Sequence, residues 1–167
     1  MEIKELFFDL ITNSLVVTPL IAWCVAQLAK VFVQMFVEKK FNIRRIFGAG
    51  GMPSSHTATT IALTVSSGWY CGLGSPVFAV SCILAIIVMH DAVGVRRETD
   101  KQSRTIKQIA DIIDDISNDE AEIRTDKLKD FVGHTPMQVV FGAFIGIIVV
   151  ILYMIIAGVQ YGSFTMT

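Results

Sequence analysis

Charge is what this sequence lacks over most of its length. Only 17% of its 167 residues are Asp, Glu, Lys or Arg, against 53% apolar, and the mean hydropathy is +0.59. Soluble domains average about 25% charged. Of the 29 charged residues, 18 fall between positions 96 and 130, so long stretches elsewhere carry almost none. That excludes an ordinary soluble globule. A basic excess is missing too: the net charge is −1, and nothing points to nucleic acid. The three cysteines, Cys24, Cys71 and Cys82, lie in apolar stretches without metal-ligand spacing, so they form no disulfide framework and read as small core residues. Internal repeats and low-complexity segments are absent as well. A single membrane domain over 1–167 is expected for this length.

Long apolar runs are what the sequence does have. A transmembrane helix needs about 20 mostly apolar residues. Four stretches qualify, at about 14–37, 57–74, 76–95 and 136–158, the second of them short. Only Lys30 and Asp91 among the charged residues sit inside them. The first is too long for a cleaved signal peptide and has no small-residue cleavage site. The expected fold class is an all-α integral membrane bundle of about four transmembrane helices.

Orientation follows from where the cations lie. Lys39, Lys40, Arg44 and Arg45 follow the first span, and Arg96, Arg97, Lys101, Arg104, Lys107, Arg124, Lys127 and Lys129 follow the third. The link 72–75 and the tail after Ala157 carry no charge. The positive-inside rule then makes both basic connections cytoplasmic and puts both termini outside, in a multi-pass protein of the cell membrane. The longer connection, 96–133, is not a tail. From Thr105 onward, Ile106, Ile109, Ile113 and Ile116 recur at steps of three and four, the period of an amphipathic helix. A break at Ser117-Asn118-Asp119 and a second short helix would make it a hairpin resting on the membrane surface. Gly142 with Gly146, and Gly68 with Gly72, form GxxxG patterns that let helix backbones approach closely, in a bundle or a dimer.

The chemistry gathers where the spans meet the basic side. Gly50-Gly51-Met52-Pro53-Ser54-Ser55-His56 leads into the second span, with Pro53 suited to a first turn and Ser54 and Ser55 to capping. Gly133-His134-Thr135-Pro136 leads into the fourth in the same manner. Two helix amino-termini open on one face, each with a histidine beside it, and such ends attract anions, phosphate above all. His90-Asp91 and then Arg96-Arg97 close the third span on that face, and arginine matches phosphate oxygens with paired donors. Taken singly, each feature has a plain structural reading. Pro-Ser-Ser starts many helices, and arginines after a span mark topology. Asp91 stands apart, because a carboxylate within a span is costly and marks a function by default, though pairing with Arg96, Arg97 or Lys30 would also account for it. Lys30 either snorkels to the surface or faces the bundle interior.

Together these segments resemble the divergent branch of the type 2 phosphatidic acid phosphatases, membrane relatives of acid phosphatases and vanadium haloperoxidases. The resemblance also takes in Gln138-Val139, Gly142 and, in the first span, Ala22-Trp23, Ala26-Gln27 and Lys30, so it covers nearly the whole chain. It implies a lipid-phosphate phosphatase that works without metal or other cofactor, through a phosphohistidine. His134 is implied as nucleophile and His56 as the acid that protonates the leaving oxygen. Arg96, Arg97, Ser54 and Ser55 would hold the phosphate, with Lys40 and Arg45 standing for the family's first motif and Asp91 and Lys30 in support. Gln138 occupies the place of the aspartate that orients the nucleophile, and Lys127 and Leu128 replace the usual Ser-Arg pair. Four spans are fewer than the six-helix core of typical members, which makes a homodimer a candidate for completing the site. Two other readings remain open: a lipid-phosphate binding or transport protein without turnover, and a metal-dependent hydrolase using His56, His90, Asp91 and His134. The last ranks lowest, because His90 and Asp91 are adjacent and cannot both point into one site from a regular helix.

Overall fold

The computed structural model describes residues 3–38, 51–116 and 135–158. Every element in these segments is helical: α1 (Ile3–Thr12), α2 (Ser14–Glu38), α3 (Ser55–Cys71), α4 (Pro76–Val93), α5 (Val95–Ile116) and α6 (Pro136–Ala157). The fold is an all-α membrane bundle, as its apolar runs require. Three stretches, Ser14–Phe36, Pro76–Ile113 and Pro136–Ala157, are long and apolar enough to cross a bilayer. The remaining expected span, 57–74, corresponds to α3. Its 17 residues rise only about 25 Å, short of a hydrocarbon core of about 30 Å.

The sequence of α3 explains its place in the bundle. It is rich in hydroxyls, and it packs against α2, α4 and α6, so those hydroxyls meet protein. Thr18 of α2 and Ser66 of α3 lie hydroxyl to hydroxyl at 2.7 Å, as do Ser67 of α3 and Ser81 of α4. Thr64 donates to the carbonyl of Ser81 at 3.0 Å. Serine and threonine in a span need such partners, because hydrocarbon offers none. Toward α6 the contact is made by glycine. A Cβ on Gly142 would stand 2.4 Å from the Ser54 carbonyl oxygen, and one on Gly146 would stand 2.6 Å from that of Ala58. The 142/146 pattern therefore joins α6 to α3 inside one chain. Gly68 faces Leu73 and Phe78 across the turn into α4. An apolar cluster of Ala22, Ala62, Tyr70, Val149, Val150 and Met154 fills the half of the bundle toward that turn.

Three boundaries differ from expectation. The amphipathic helix begins at Val95, not near Thr105. Gly94 interrupts α4 for a single residue, its N–H still donating to the His90 carbonyl at 2.8 Å, and the Glu98 N–H picks up the Gly94 carbonyl at 3.0 Å to start α5. Charged pairs at helical spacing, Glu98 with Lys101 and Asp100 with Arg104, carry the helix through the polar stretch that lacks an apolar stripe. Pro53 lies outside α3, before the cap, and its peptide bond with Met52 is cis. The amino-terminal segment before the first span is itself a helix, α1. The second arm of the expected hairpin and its break at 117–119 lie outside the described residues.

Candidate phosphate site at one end of the bundle

Antiparallel succession brings the start of α3, the end of α4 and the start of α6 to one end of the molecule. The α3 start is built around Ser54, which is fully buried. Its Oγ caps the helix, accepting from the Thr57 N–H at 3.4 Å and from the Thr57 hydroxyl at 3.0 Å. Its own N–H donates to the Gln138 carbonyl at 3.0 Å. That bond, and the close approach of Gly142 to the Ser54 carbonyl, fasten the start of α3 to the first turns of α6. Ser55 is buried as well, while His56, one residue further round the first turn, is exposed at the bundle end.

The start of α6 is a reciprocal cap. Thr135 Oγ1 accepts from the Gln138 N–H at 3.4 Å, and Gln138 Oε1 accepts from the Thr135 N–H at 3.0 Å. The side-chain oxygen of Gln138 is thus committed to closing the helix end. Sequence reasoning assigned Gln138 an orienting role toward His134. The signal for the cap was equally present, in a threonine followed three residues later by glutamine.

The cations come from two other helices. Lys30, on α2, is only 5% exposed, which answers the open question of its direction: it turns into the bundle. Its stem lies against Gly51, where a Cβ would approach Lys30 Cγ and Cδ to 3.3 Å. Gly51 also has φ +100°, a conformation that other residues rarely adopt. The backbone conformation is what calls for glycine here, and the Lys30 stem makes the position tight as well. Arg96, at the start of α5, donates from Nε to Asp91 Oδ2 at 2.5 Å. Of the three partners open to Asp91, Arg96 is the one it takes. Bonding through Nε fixes the plane of the guanidinium against the carboxylate, and the terminal nitrogen on the far side from that edge points away from it. Arg97, next in sequence, is exposed. Partial burial of the His56 imidazole, and after it the charges of Arg96 and Lys30, hold its pKa below the usual histidine range, with Asp91 acting in the opposite sense. One histidine, one lysine and one aspartate-held arginine therefore converge on the capped start of α3. His134, Lys40 and Arg45 lie outside the described residues; His134 is the residue immediately before the α6 cap. Among the described residues no three of His, Cys, Asp and Glu gather as a metal site.

A family model described as the Divergent PAP2 family matches residues 11–149 of this chain. The chain belongs to that family. The match spans α2 to most of α6 and so includes every residue of the cluster. An uncharacterized membrane protein of Bacillus subtilis (strain 168), YuiD, is 36% identical over 147 residues, covering 84% of this chain and 93% of that protein. No solved structure matches the chain. Membership in the Divergent PAP2 family bears out the resemblance carried by the Pro-Ser-Ser-His, Asp-Ala-Val-Gly-Val-Arg-Arg and His-Thr-Pro segments. Sequence reasoning placed Lys30 in support, and the structure buries it in the bundle against Gly51. A lysine inside an apolar run is costly, but that cost is met either by snorkelling or by facing the interior, so the run alone leaves its direction open.

Proposed function

We propose that this protein binds the phosphate of a membrane lipid at the end of the bundle formed by Lys30, His56 and Arg96, and hydrolyses it. The observation that carries this reading is the gathering of these three side chains, from three helices, around the capped start of α3. An anion there meets the positive end of a helix, the far terminal nitrogen of Arg96 and the Lys30 ammonium. The apolar spans beside it supply a place for the lipid tails.

The reaction follows from the two histidines. His134 attacks phosphorus with a neutral imidazole nitrogen, forming an N–P bond as the P–O bond to the lipid alcohol breaks. His56 takes up a proton once the bound phosphate dianion offsets Arg96 and Lys30, and gives it to the departing alkoxide oxygen. Water then attacks the phosphohistidine, and its proton returns to His56, regenerating both histidines and releasing inorganic phosphate. Arg96 and Lys30 balance the charge on the non-bridging oxygens throughout. Asp91 holds Arg96 by its Nε and so sets the direction of its fork. The site opens on the side that carries the basic connections, which by the positive-inside rule is cytoplasmic.

The second reading, binding or transport without turnover, draws on Gln138. Its side-chain oxygen is bonded to the α6 cap, and an amide there cannot stabilise an imidazolium as a carboxylate would. Purified protein in detergent, given a panel of lipid phosphates with and without chelator, separates the readings. Phosphate release that resists chelator and disappears in His134→Asn supports the phosphohistidine route. Saturable binding without release supports the binding protein, and release abolished by chelator supports a metal hydrolase.

A further inference from the structure

α1 stands apart from the bundle. None of its ten residues is buried, and α2 is the helix it lies against. At 100° per residue, Ile3, Leu6, Phe7, Leu10 and Ile11 share one side of α1 and Glu5, Asp9 and Thr12 the other, with Lys4 and Phe8 at one margin between them. Each of the five apolar side chains is more than half exposed, so the bundle does not cover them. The link to the bundle is short. Asn13 alone separates α1 from α2, and it caps the span tightly: its carbonyl accepts from the Val16 and Val17 N–H groups, both at 2.9 Å, and its Oδ1 accepts from the Leu15 N–H at 2.9 Å. α1 is therefore held at the point where the chain enters the apolar span. Between the two helices runs an apolar groove of about 410 Å³, where Leu10 and Ile11 of α1 meet Val17, Ile21, Val25 and Leu28 of α2. The α2 side of this groove is opposite the face that Thr18, Ala22, Ala26 and Lys30 turn to the bundle. It belongs to the surface that the span presents to lipid.

We propose that α1 is an interfacial helix, lying in the boundary between headgroups and acyl chains at the end of the bundle remote from the phosphate site, with a lipid acyl chain in the α1/α2 groove. The occupant is bilayer lipid for two reasons. The apolar side of α1 is continuous, through the groove, with the lipid-facing side of α2. The polar side carries both charge signs, Lys4 at its margin with Glu5 and Asp9, as suits a helix half in water and half in lipid. The inference rests on no part of the proposed chemistry.

Site-directed spin labelling of the full chain in phosphatidylcholine vesicles tests it. With Cys24, Cys71 and Cys82 replaced by alanine, single labels go at Phe7→Cys and Asp9→Cys. The nitroxide at position 7 should be relaxed by oxygen, which concentrates in lipid, and shielded from a water-soluble nickel chelate. The one at position 9 should show the reverse. Equal exposure of both to the chelate would overturn the proposal. So would dipolar broadening at position 7 that vanishes on dilution with unlabelled protein, because a second copy would then occupy the face. Leu10→Asp, at a residue 54% exposed on a helix with none buried, should leave the bundle's thermal stability unchanged and abolish the difference between the two positions. Persistence of that difference in Leu10→Asp would also overturn the proposal.

Discussion

Arg96 and Arg97 are neighbours in sequence and part company in the fold. Arg96 turns to Asp91 and lies within reach of His56, while Arg97 turns to the outside. Arg96→Lys should therefore weaken lipid-phosphate binding or turnover at least tenfold, since an ammonium cannot bond Asp91 and a phosphate through one planar fork. Arg97→Lys should leave both within about twofold, a margin well inside the small effect of an exposed charge; equal losses in the two variants would remove Arg96 from the site. Asp91→Asn adds a sharper test of the aiming role. A half-exposed ion pair contributes roughly 0–1 kcal/mol to stability, so the variant should melt near the parent while its Km rises. A large drop in melting temperature with unchanged kinetics would make Asp91 structural. For His56, the diagnostic is the leaving group. His56→Asn should slow an alkyl phosphate far more than an aryl phosphate whose phenolate departs without a proton. Equal slowing of both would take the acid role from His56.

The helices show why some of this was readable in the sequence and some was not. Spans α2, α4 and α6 announce themselves by length and composition, and their starts by Ser75-Pro76 and Thr135-Pro136, where cap and first-turn proline sit side by side. The direction of Lys30 was not readable, because the position of one residue on a helix says nothing about which neighbours pack there; Gly51 and the buried face of α2 decide it. The partner of the Gly142/Gly146 pattern was equally hidden until α3 was seen against it. That contact makes a prediction in which packing and chemistry are joined. Gly142→Ala would place a methyl 2.4 Å from the Ser54 carbonyl, a backbone atom that cannot turn aside. Overpacking of this kind costs typically about 1–3 kcal/mol, and here the strain falls on the residue that caps α3 at the site. The variant should lose melting temperature and activity together. Thr18→Val, at the Ser66 hydroxyl pair far from the site, should lose only stability, by about 0.6 kcal/mol and at most about 1.7 kcal/mol, the range measured for such bonds within membranes. Activity lost in Thr18→Val as severely as in Gly142→Ala would break the proposed link between the glycine contact and the site.

The bundle as a whole has two unlike ends, and the difference between them makes a claim about sidedness. The end with Lys30, His56 and Arg96 joins onto the basic connections, whereas the far end holds α1, the uncharged turn 72–75 and the close of α6. If the basic end is cytoplasmic, single cysteines introduced at Asn118 and Gly162 in a cysteine-free background will label oppositely in intact cells. An impermeant maleimide should reach position 162 at once and position 118 only after the membrane is opened. The reverse pattern would invert the protein and move its site to the outer face. Under the proposed function, the same orientation would fix which leaflet supplies the lipid phosphate. A phosphate on a lipid of the outer leaflet lies the thickness of the hydrocarbon, about 30 Å, from His56 and Arg96, and the α3 hydroxyls Thr64, Ser66 and Ser67 between the two ends are bonded to α2 and α4. Phosphatidate placed only in the outer leaflet of vesicles with uniformly oriented protein, basic end inward, should therefore persist, and its hydrolysis should begin when a scramblase or flip-inducing peptide brings it to the inner leaflet. Prompt hydrolysis before scrambling, in vesicles whose orientation the maleimide has verified, would mean that the reacting face is not the one built by Lys30, His56 and Arg96.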